Sequence, residues 1–324
     1  MKVIGMGNAL VDIITTLQDD EILKSLGLPK GSMTLVDHET SNYLNSETFG
    51  LPKQKASGGS AANTIHGLAH MGIESAFVGM VGNDDLGKFF YKDLKSKNIR
   101  PILFKSIKET GRAVALISKD SERTFATYLG AAVELSIEDL NSTMFEGYDI
   151  FYLEGYLVQD HKLVEKAVRL AKHGGLKVCI DLASYNIVEE HKSFFQKIIP
   201  DVDILFANNQ EAEALTGMDP ESAARHLGEI AGVAVIKNGA QGSIICSDGK
   251  ISNIGAIKAN PVDTTGAGDM YAAGFLYGYI NNQSPEICGK IGSLLAGKVI
   301  EVYGAKMDEM SWERIRREVS KMMT

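Results

Sequence analysis

Short β-rich runs separated by segments of helical periodicity recur along most of the 324-residue chain, and this alternation limits the fold more than any other feature. The β-like runs fall at 2–6 (KVIGM), 75–81, 149–153, 177–181, 203–207 and 233–237. Between and after them, helical patterns cover 61–71, 86–97, 161–173, 189–199, 210–216, 221–231, 268–280, 285–303 and 311–322. Strand and helix in strict succession predict a mostly parallel sheet with helices on both faces, the three-layer α/β/α arrangement. Two further runs, 243–247 and 250–254, flank Asp248-Gly249, a dipeptide suited to a tight hairpin turn.

Two stretches break the alternation. Residues 11–55 hold polar and turn residues around a short β-like piece at 33–37, and residues 100–130 carry β-like runs at 102–107, 112–118 and 123–128. We expect these two stretches to pair into a small second sheet, a β-lid. The core domain then consists of 1–10, 56–99 and 131–324, with the pair Gly58-Gly59 as a hinge candidate.

Composition narrows the function. Acidic residues outnumber basic ones 41 to 33, for a net charge of −8, which speaks against a nucleic-acid binder with its basic stripe. Cys179, Cys246 and Cys288 are far apart and form no CxxC pair, so neither a disulfide framework nor a zinc site is expected. Gly5, Gly7, Asn8 and Asp12 interrupt the first apolar run, unlike a signal peptide. No apolar stretch reaches the ~18 residues of a membrane span. The expectation is a cytoplasmic enzyme of small molecules, monomer or homodimer.

The most specific string is DTTGAGD at 263–269, followed by an Ala- and Gly-rich helix start. Glycines at 266 and 268 let backbone N–H groups turn inward around Ala267, and the helix N-terminus behind them adds orphan donors and a positive dipole end. That combination suits phosphate oxygens. Asp269, in the first turn, stands where a carboxylate can take a proton from an attacking hydroxyl. A tight turn with a favourable first-turn acid would share the GAGD portion, but not the whole string.

Three other motifs accompany it. GGSAANTIHGLAHMG at 58–72 places Gly58, Gly59 and Ser60 before a helix with Asn63 in its first turn; Ser60 reads as a cap, whereas Asn63 suits a hydroxyl-rich ligand. GMGNALVDII at 5–14 begins like a dinucleotide fingerprint, but Leu10 replaces the third glycine and the residues after it read as extended, so the dehydrogenase reading fails its context test. Asn8 and Asp12 then lie beyond the first strand, where open α/β sheets bind ligands. In ANNQEAEALTG at 207–217, Asn208 and Glu211 could orient water on Mg²⁺, or form an ordinary capping box. KNGAQGS at 237–243 is a weaker glycine turn, facing a nucleotide or opening the hairpin. No P-loop, HExxH or GxSxG occurs. His66 and His70 share a helix face without an acidic partner at metal-ligand spacing and read as structural.

Together, in this order and spacing, the motifs resemble the ribokinase-like, or PfkB, carbohydrate kinases over essentially the whole chain, and GMVGNDDLG at 79–87 fits as well. Within that family the likeness is to adenosine kinases, through GMGNALVDI, FATYLGAA at 125–132 and YLEGY at 152–156. The resemblance implies an ATP- and Mg²⁺-dependent kinase with a lidded three-layer fold. Asn8, Asp12, Gly58, Gly59, Asn63, Leu129 and Tyr156 would meet the acceptor, with Tyr156 stacking on a base. Asn208, Lys237, Gly239, Gly242, Gly292 and Ser293 would lie along ATP, Asn208 and Glu211 near Mg²⁺, and Asp263 and Thr265 at a monovalent cation, K⁺. Gly266, Ala267 and Gly268 would form the anion hole, with Asp269 as base.

Two departures stand out: Lys237, where many sugar-kinase relatives carry Thr, and DLAS at 181–184, where many have Asp-Pro-Asn. The leading expectation is a nucleoside kinase, adenosine first. A sugar kinase is the alternative, with Arg112 and Arg123 as candidate partners for a phosphorylated sugar. A non-catalytic nucleotide-binding protein is disfavoured by the intact Asp269.

Overall fold

The computed structural model describes residues 1–120 and 122–323. Fourteen strands form two sheets among the described residues: β1 (Val3–Met6), β2 (Leu10–Thr16), β3 (Met33–Leu35), β4 (Lys53–Gly58), β5 (Ser75–Gly82), β6 (Ile99–Ser106), β7 (Gly111–Ile117), β8 (Arg123–Tyr128), β9 (Ile150–Glu154), β10 (Lys177–Asp181), β11 (Ile204–Asn208), β12 (Val233–Lys237), β13 (Ser243–Ser247) and β14 (Lys250–Ile254). The helices are α1 (Glu21–Ser25), α2 (His38–Glu47), α3 (Ser60–His70), α4 (Asp85–Ser96), α5 (His161–His173), α6 (Tyr185–Glu190), α7 (Lys192–Ile198), α8 (Asn209–Thr216), α9 (Pro220–Ala231), α10 (Ala267–Ile280), α11 (Pro285–Val299) and α12 (Glu309–Met322). None of the described helices is long and apolar enough to cross a membrane.

The large sheet runs β14-β13-β12-β11-β10-β9-β1-β5-β6. It is parallel except at β12-β13 and β13-β14, the hairpin expected around Asp248-Gly249. Successive strand residues face opposite sides. Tyr152, Cys179, Phe206 and Val235 therefore join one core, with α3, α4, α10, α11 and α12. Phe151, Leu153, Val178, Leu205 and Ile236 join the other, under α5, α7, α8 and α9. The apolar strands are near-continuous because both faces are covered.

The small sheet, β3-β8-β7-β2-β4, is the lid. Its bounds differ from those expected. The run beginning at 102 belongs to β6, which pairs parallel with β5 at the edge of the large sheet. The second lid segment thus starts at Gly111, and 100–106 is core. Parallel pairing with a buried strand decides this, which β propensity alone cannot reveal. At the other boundaries β2 already enters the lid at Leu10 and β4 extends to Gly58, inside the residues assigned to the core. The helical patterns at 189–199 and 285–303 differ too: the first divides into α6 and α7, and α11 ends at Val299.

Candidate functional site

Strands β9, β10, β11 and β12 end in Glu154, Asp181, Asn208 and Lys237, so the C-terminal edge of the parallel sheet carries a row of polar side chains. The N-terminus of α10 opens over that edge. Gly266, its N-cap, takes a left-handed φ of 76°, and no side chain caps the helix. No side chain therefore competes for the first-turn N–H groups, although Ala267 N donates to the Thr264 carbonyl at 3.2 Å.

Asp269 is held from α3. Ser60 Oγ donates to its Oδ1 at 2.7 Å and Asn63 Nδ2 donates to its Oδ2 at 2.9 Å. Ser60 is therefore not the cap of α3; Gly59 is, and the Ser60 hydroxyl serves the carboxylate instead. Burial pushes the Asp269 pKa up to about 6, while the Ser60 and Asn63 hydrogen bonds hold it down from a higher value. Lys306 Nζ donates to Asn63 Oδ1 at 3.1 Å, which fixes the amide with its nitrogen toward Asp269. Burial lowers Lys306 to about 8, against the pull of Asp12.

Asp12 lies on β2 across from Ala56 of β4. Its carboxylate occupies the space beside Gly58, where an added Cβ would come within 2.2 Å of Oδ1. Burial raises Asp12 to about 6, with Lys306 opposing. Gly59, at φ 97°, brings α3 against the Asn8 carbonyl, 2.1 Å from where a Cβ would stand. Asn8 N and Ala61 N both donate to Glu154, at 2.8 and 2.9 Å. Glu154 thereby ties β9 to the segment after β1 and to the start of α3. Burial lifts it to about 7.

The lid's inner face follows from register, since paired residues share a side. Ile14 pairs with Ala115, and Ala115 with Phe125, giving an apolar row next to Asp12 and its partner Ala113. Arg123 is two residues from Phe125 and points the same way, reaching Asp263 of the core in an ion pair. Tyr128 faces away: it packs against His38, and Arg112 lies over its ring at 5.4 Å. Leu129 follows β8, with its carbonyl 2.4 Å from where a Cβ on Gly111 would stand. Tyr156, half-buried beyond β9, directs its hydroxyl to the Ala183 carbonyl at 3.4 Å.

On the opposite side, Lys237 Nζ donates to Asp181 Oδ2 at 2.6 Å. It would sit 3.1 Å from a Cβ on Gly268, so the ammonium group borders the anion hole and the glycine leaves room for it. Burial opposes the charge, yet Asp181 and Glu211 outweigh it and hold Lys237 above its ordinary pKa. Gly239 and Gly242 turn the chain after β12 with φ of 52° and 93°, and a Cβ on Gly242 would strike the Ile254 carbonyl. This glycine cradle beside a buried ammonium fits a polyphosphate. Asn208 and Glu211 form a reciprocal capping box on α8. Glu211 is buried and raised to about 7, chiefly by desolvation, with Lys237 opposing. Mg²⁺ keeps most of its waters and needs few protein ligands, so this pair fits an outer-sphere role.

Gly292 lets α11 pack on Tyr271 of α10, and Ser293 Oγ donates to the Gly255 carbonyl at 3.0 Å. One expectation changes here. Asp263 and Thr265 do not fit a monovalent cation. Asp263 Oδ1 accepts from Thr265 N and Oγ1, at 3.1 and 2.8 Å, and Oδ2 accepts from Arg123 and from Gly304 N at 2.6 Å. Donor hydrogens surround the carboxylate where a cation would need bare oxygen.

Sequence reasoning assigned no role to Glu154, Lys306 or Asp181. Glu154 had a signal, an acid closing the apolar run IFYL; Lys306 had none, because only the fold carries it to Asn63. His66 bonds Ser57 Oγ at 2.7 Å and His70 stacks on Trp312, the structural roles expected of them.

Residues 52–311 match the family described as pfkB family carbohydrate kinase. The chain belongs to this family. Solved structures similar to the kinase include a probable sugar kinase from Rhizobium etli CFN 42, with TM-score 0.87, 33% identity and 98% coverage of each chain. Another is adenosine kinase from Sinorhizobium meliloti, with TM-score 0.86, 34% identity and coverage of 98% and 99%. A nucleoside kinase from Methanocaldococcus jannaschii is 29% identical over 301 residues, 89% of this chain and 97% of that protein. The kinase is thus ATP-dependent, uses Mg²⁺ as its family does, and phosphorylates an alcohol group of a sugar or nucleoside.

Proposed function

We propose that the kinase phosphorylates the 5′-hydroxyl of a nucleoside, adenosine first. The observation that carries this reading is the apolar row Ile14, Ala115 and Phe125 on the inner face of the lid, beside the hydroxyl-binding Asp12. A ribosyl group needs the carboxylate and a base needs the flat apolar surface, whereas a free sugar has little use for the second. Of the two lid arginines that could meet a phosphorylated sugar, Arg112 is committed, whereas Arg123 leaves Nε and Nη2 without a hydrogen-bond partner among the described residues. Arg112 bonds Ser41, Glu109 and Asn42, and Arg123 bonds Asp263. The names of the Sinorhizobium and Methanocaldococcus relatives support the same reading.

In this reading Asp269 takes the proton from the acceptor hydroxyl. Ser60 and Asn63 hold its oxygens toward that hydroxyl, and Lys306 keeps Asn63 in the required orientation. The N–H groups at 266–268 and the Lys237 ammonium group stabilise charge that builds on the transferring group. Bound ATP and Mg²⁺ supply the phosphoryl group and neutralise its oxygens. Asp12 and Asn63 orient the ribose, and the closed lid excludes water.

An ADP-release assay with adenosine, other nucleosides, ribose, fructose and fructose 6-phosphate tests the proposal. Adenosine should give the highest kcat/KM. Faster turnover of a free sugar would establish the sugar-kinase reading that the Rhizobium etli relative's name suggests.

A further inference from the structure

The Asp263 carboxylate joins three segments. It accepts from Thr265 in the glycine loop, from Gly304 N in the turn beyond α11, and from Arg123 on lid strand β8. Both members of the lid contact are buried, with side chains 9% and 6% exposed, and the guanidinium lies 4.7 Å from the Tyr303 ring centroid. The segments it joins also touch each other: Val262 N donates to the Ile300 carbonyl, and a Cβ on Gly266 would collide with Ala305. A carboxylate buried three residues before the anion hole opposes the approach of phosphate oxygens unless a positive charge offsets it. Here that charge is part of the chain, and it arrives on the lid.

We propose that Arg123 is the resident cation of the glycine loop, so that the order of this loop depends on lid closure and not on a monovalent metal ion. A guanidinium presents its N–H groups in a fixed fork, which an exchangeable ion does not. When the lid opens, Asp263 loses this partner and the loop loses the tie that aligns residues 264–268. When it closes, neutralisation and alignment occur together, so the anion hole is complete only over a covered acceptor. The inference rests on reading 266–268 as the phosphate cradle, but not on the identity of the acceptor.

The test compares potassium chloride with choline chloride at equal ionic strength, for the wild type, Arg123→Met and Arg123→Lys. The readouts are melting temperature, affinity for ATP by calorimetry, and turnover of whichever acceptor is phosphorylated. The wild type should show the same values in both salts. Arg123→Met should bind ATP ~10-fold or more weakly in choline, the scale expected when a buried charge loses its partner. Potassium should recover part of that loss by entering the vacated space beside Asp263. Arg123→Lys should retain most of the affinity without potassium. A wild type whose ATP affinity and melting temperature both depend on potassium overturns the proposal, as does an Arg123→Met enzyme indifferent to the substitution. If Arg123→Met does not fold, the wild-type salt comparison and Arg123→Lys still decide: a lysine variant that needs potassium also overturns it. Failure of every acceptor in the panel, with ATP binding as described, would count against the nucleoside reading alone.

Discussion

Lys237 Nζ lies 2.6 Å from Asp181 Oδ2, so the lysine that stands where many sugar-kinase relatives carry Thr is held in a buried ion pair. Asp181 supplies the charge that lets an ammonium group remain ionised beside Gly268, with its side chain 15% exposed. Lys237→Met removes a cation from the anion hole and strands Asp181. We expect a stability loss of about 3–5 kcal/mol, as for other broken buried pairs. ATP affinity should also weaken. The double variant Asp181→Asn/Lys237→Thr should recover most of the stability but not the affinity, which thermal melts and calorimetry would separate.

Asp269→Asn should keep the fold and ATP binding while lowering kcat by ~10²–10⁴-fold, the usual cost of a lost positioned base. Turnover near the wild-type level would remove Asp269 from the mechanism.

A base must be deprotonated to act, so kcat/KM of the wild type should rise with pH through about 6, the value to which burial lifts Asp269. The same shift has a stability consequence of opposite sign. Between the ordinary 3.8 and about 6 the folded state binds more protons than the unfolded one, so this group's contribution to stability falls as pH rises. Melting curves of wild type and Asp269→Asn from about pH 3 to about 7.5, a range spanning that shift, isolate it. The difference should move in favour of the variant across that window and then level off. A constant difference would mean that the carboxylate is not shifted.

Lys306 fixes Asn63 and offsets Asp12, so its charge should matter more than its bulk. Lys306→Met should raise KM for the acceptor several-fold and lower kcat, because Asn63 is freed to turn away from Asp269. In the wild type, activity should also fall as pH rises past about 8, where burial lets Lys306 lose its proton. A basic limb unchanged in Lys306→Arg, whose guanidinium does not titrate there, would assign that limb to another group.

Phe125→Ala should raise KM for adenosine by roughly 10- to 100-fold, as the loss of base stacking does elsewhere. KM for any sugar should change much less. Tyr156→Ala is expected to act in the same direction. Tyr128→Ala should leave KM nearly unchanged, since that ring is turned toward His38 on the outer side of the lid. Equal effects of Phe125→Ala on nucleoside and sugar would argue that no base lies on the apolar row.

The sequence alone determined the layers and the glycine turn that opens α10. Strand-helix alternation is local, and so are the glycines of 263–269, whose backbone freedom and position before a helix can be read without knowing what surrounds them. The cap at Asn208 and Glu211 was legible for the same reason: its partners are one helical turn apart. Whatever depended on contacts far apart in sequence was decided by the tertiary structure. β6 looks like a lid strand until its pairing with β5 places it in the core. Ser60 looks like a cap until α10 brings Asp269 to it. Asp263 and Thr265 look like cation ligands until the lid delivers Arg123 from 140 positions earlier. Lys306, which has no motif around it, becomes part of the site only because the turn after α11 passes over α3. Local propensity specifies the elements, but the partner of a buried charge depends on which elements the packing brings together.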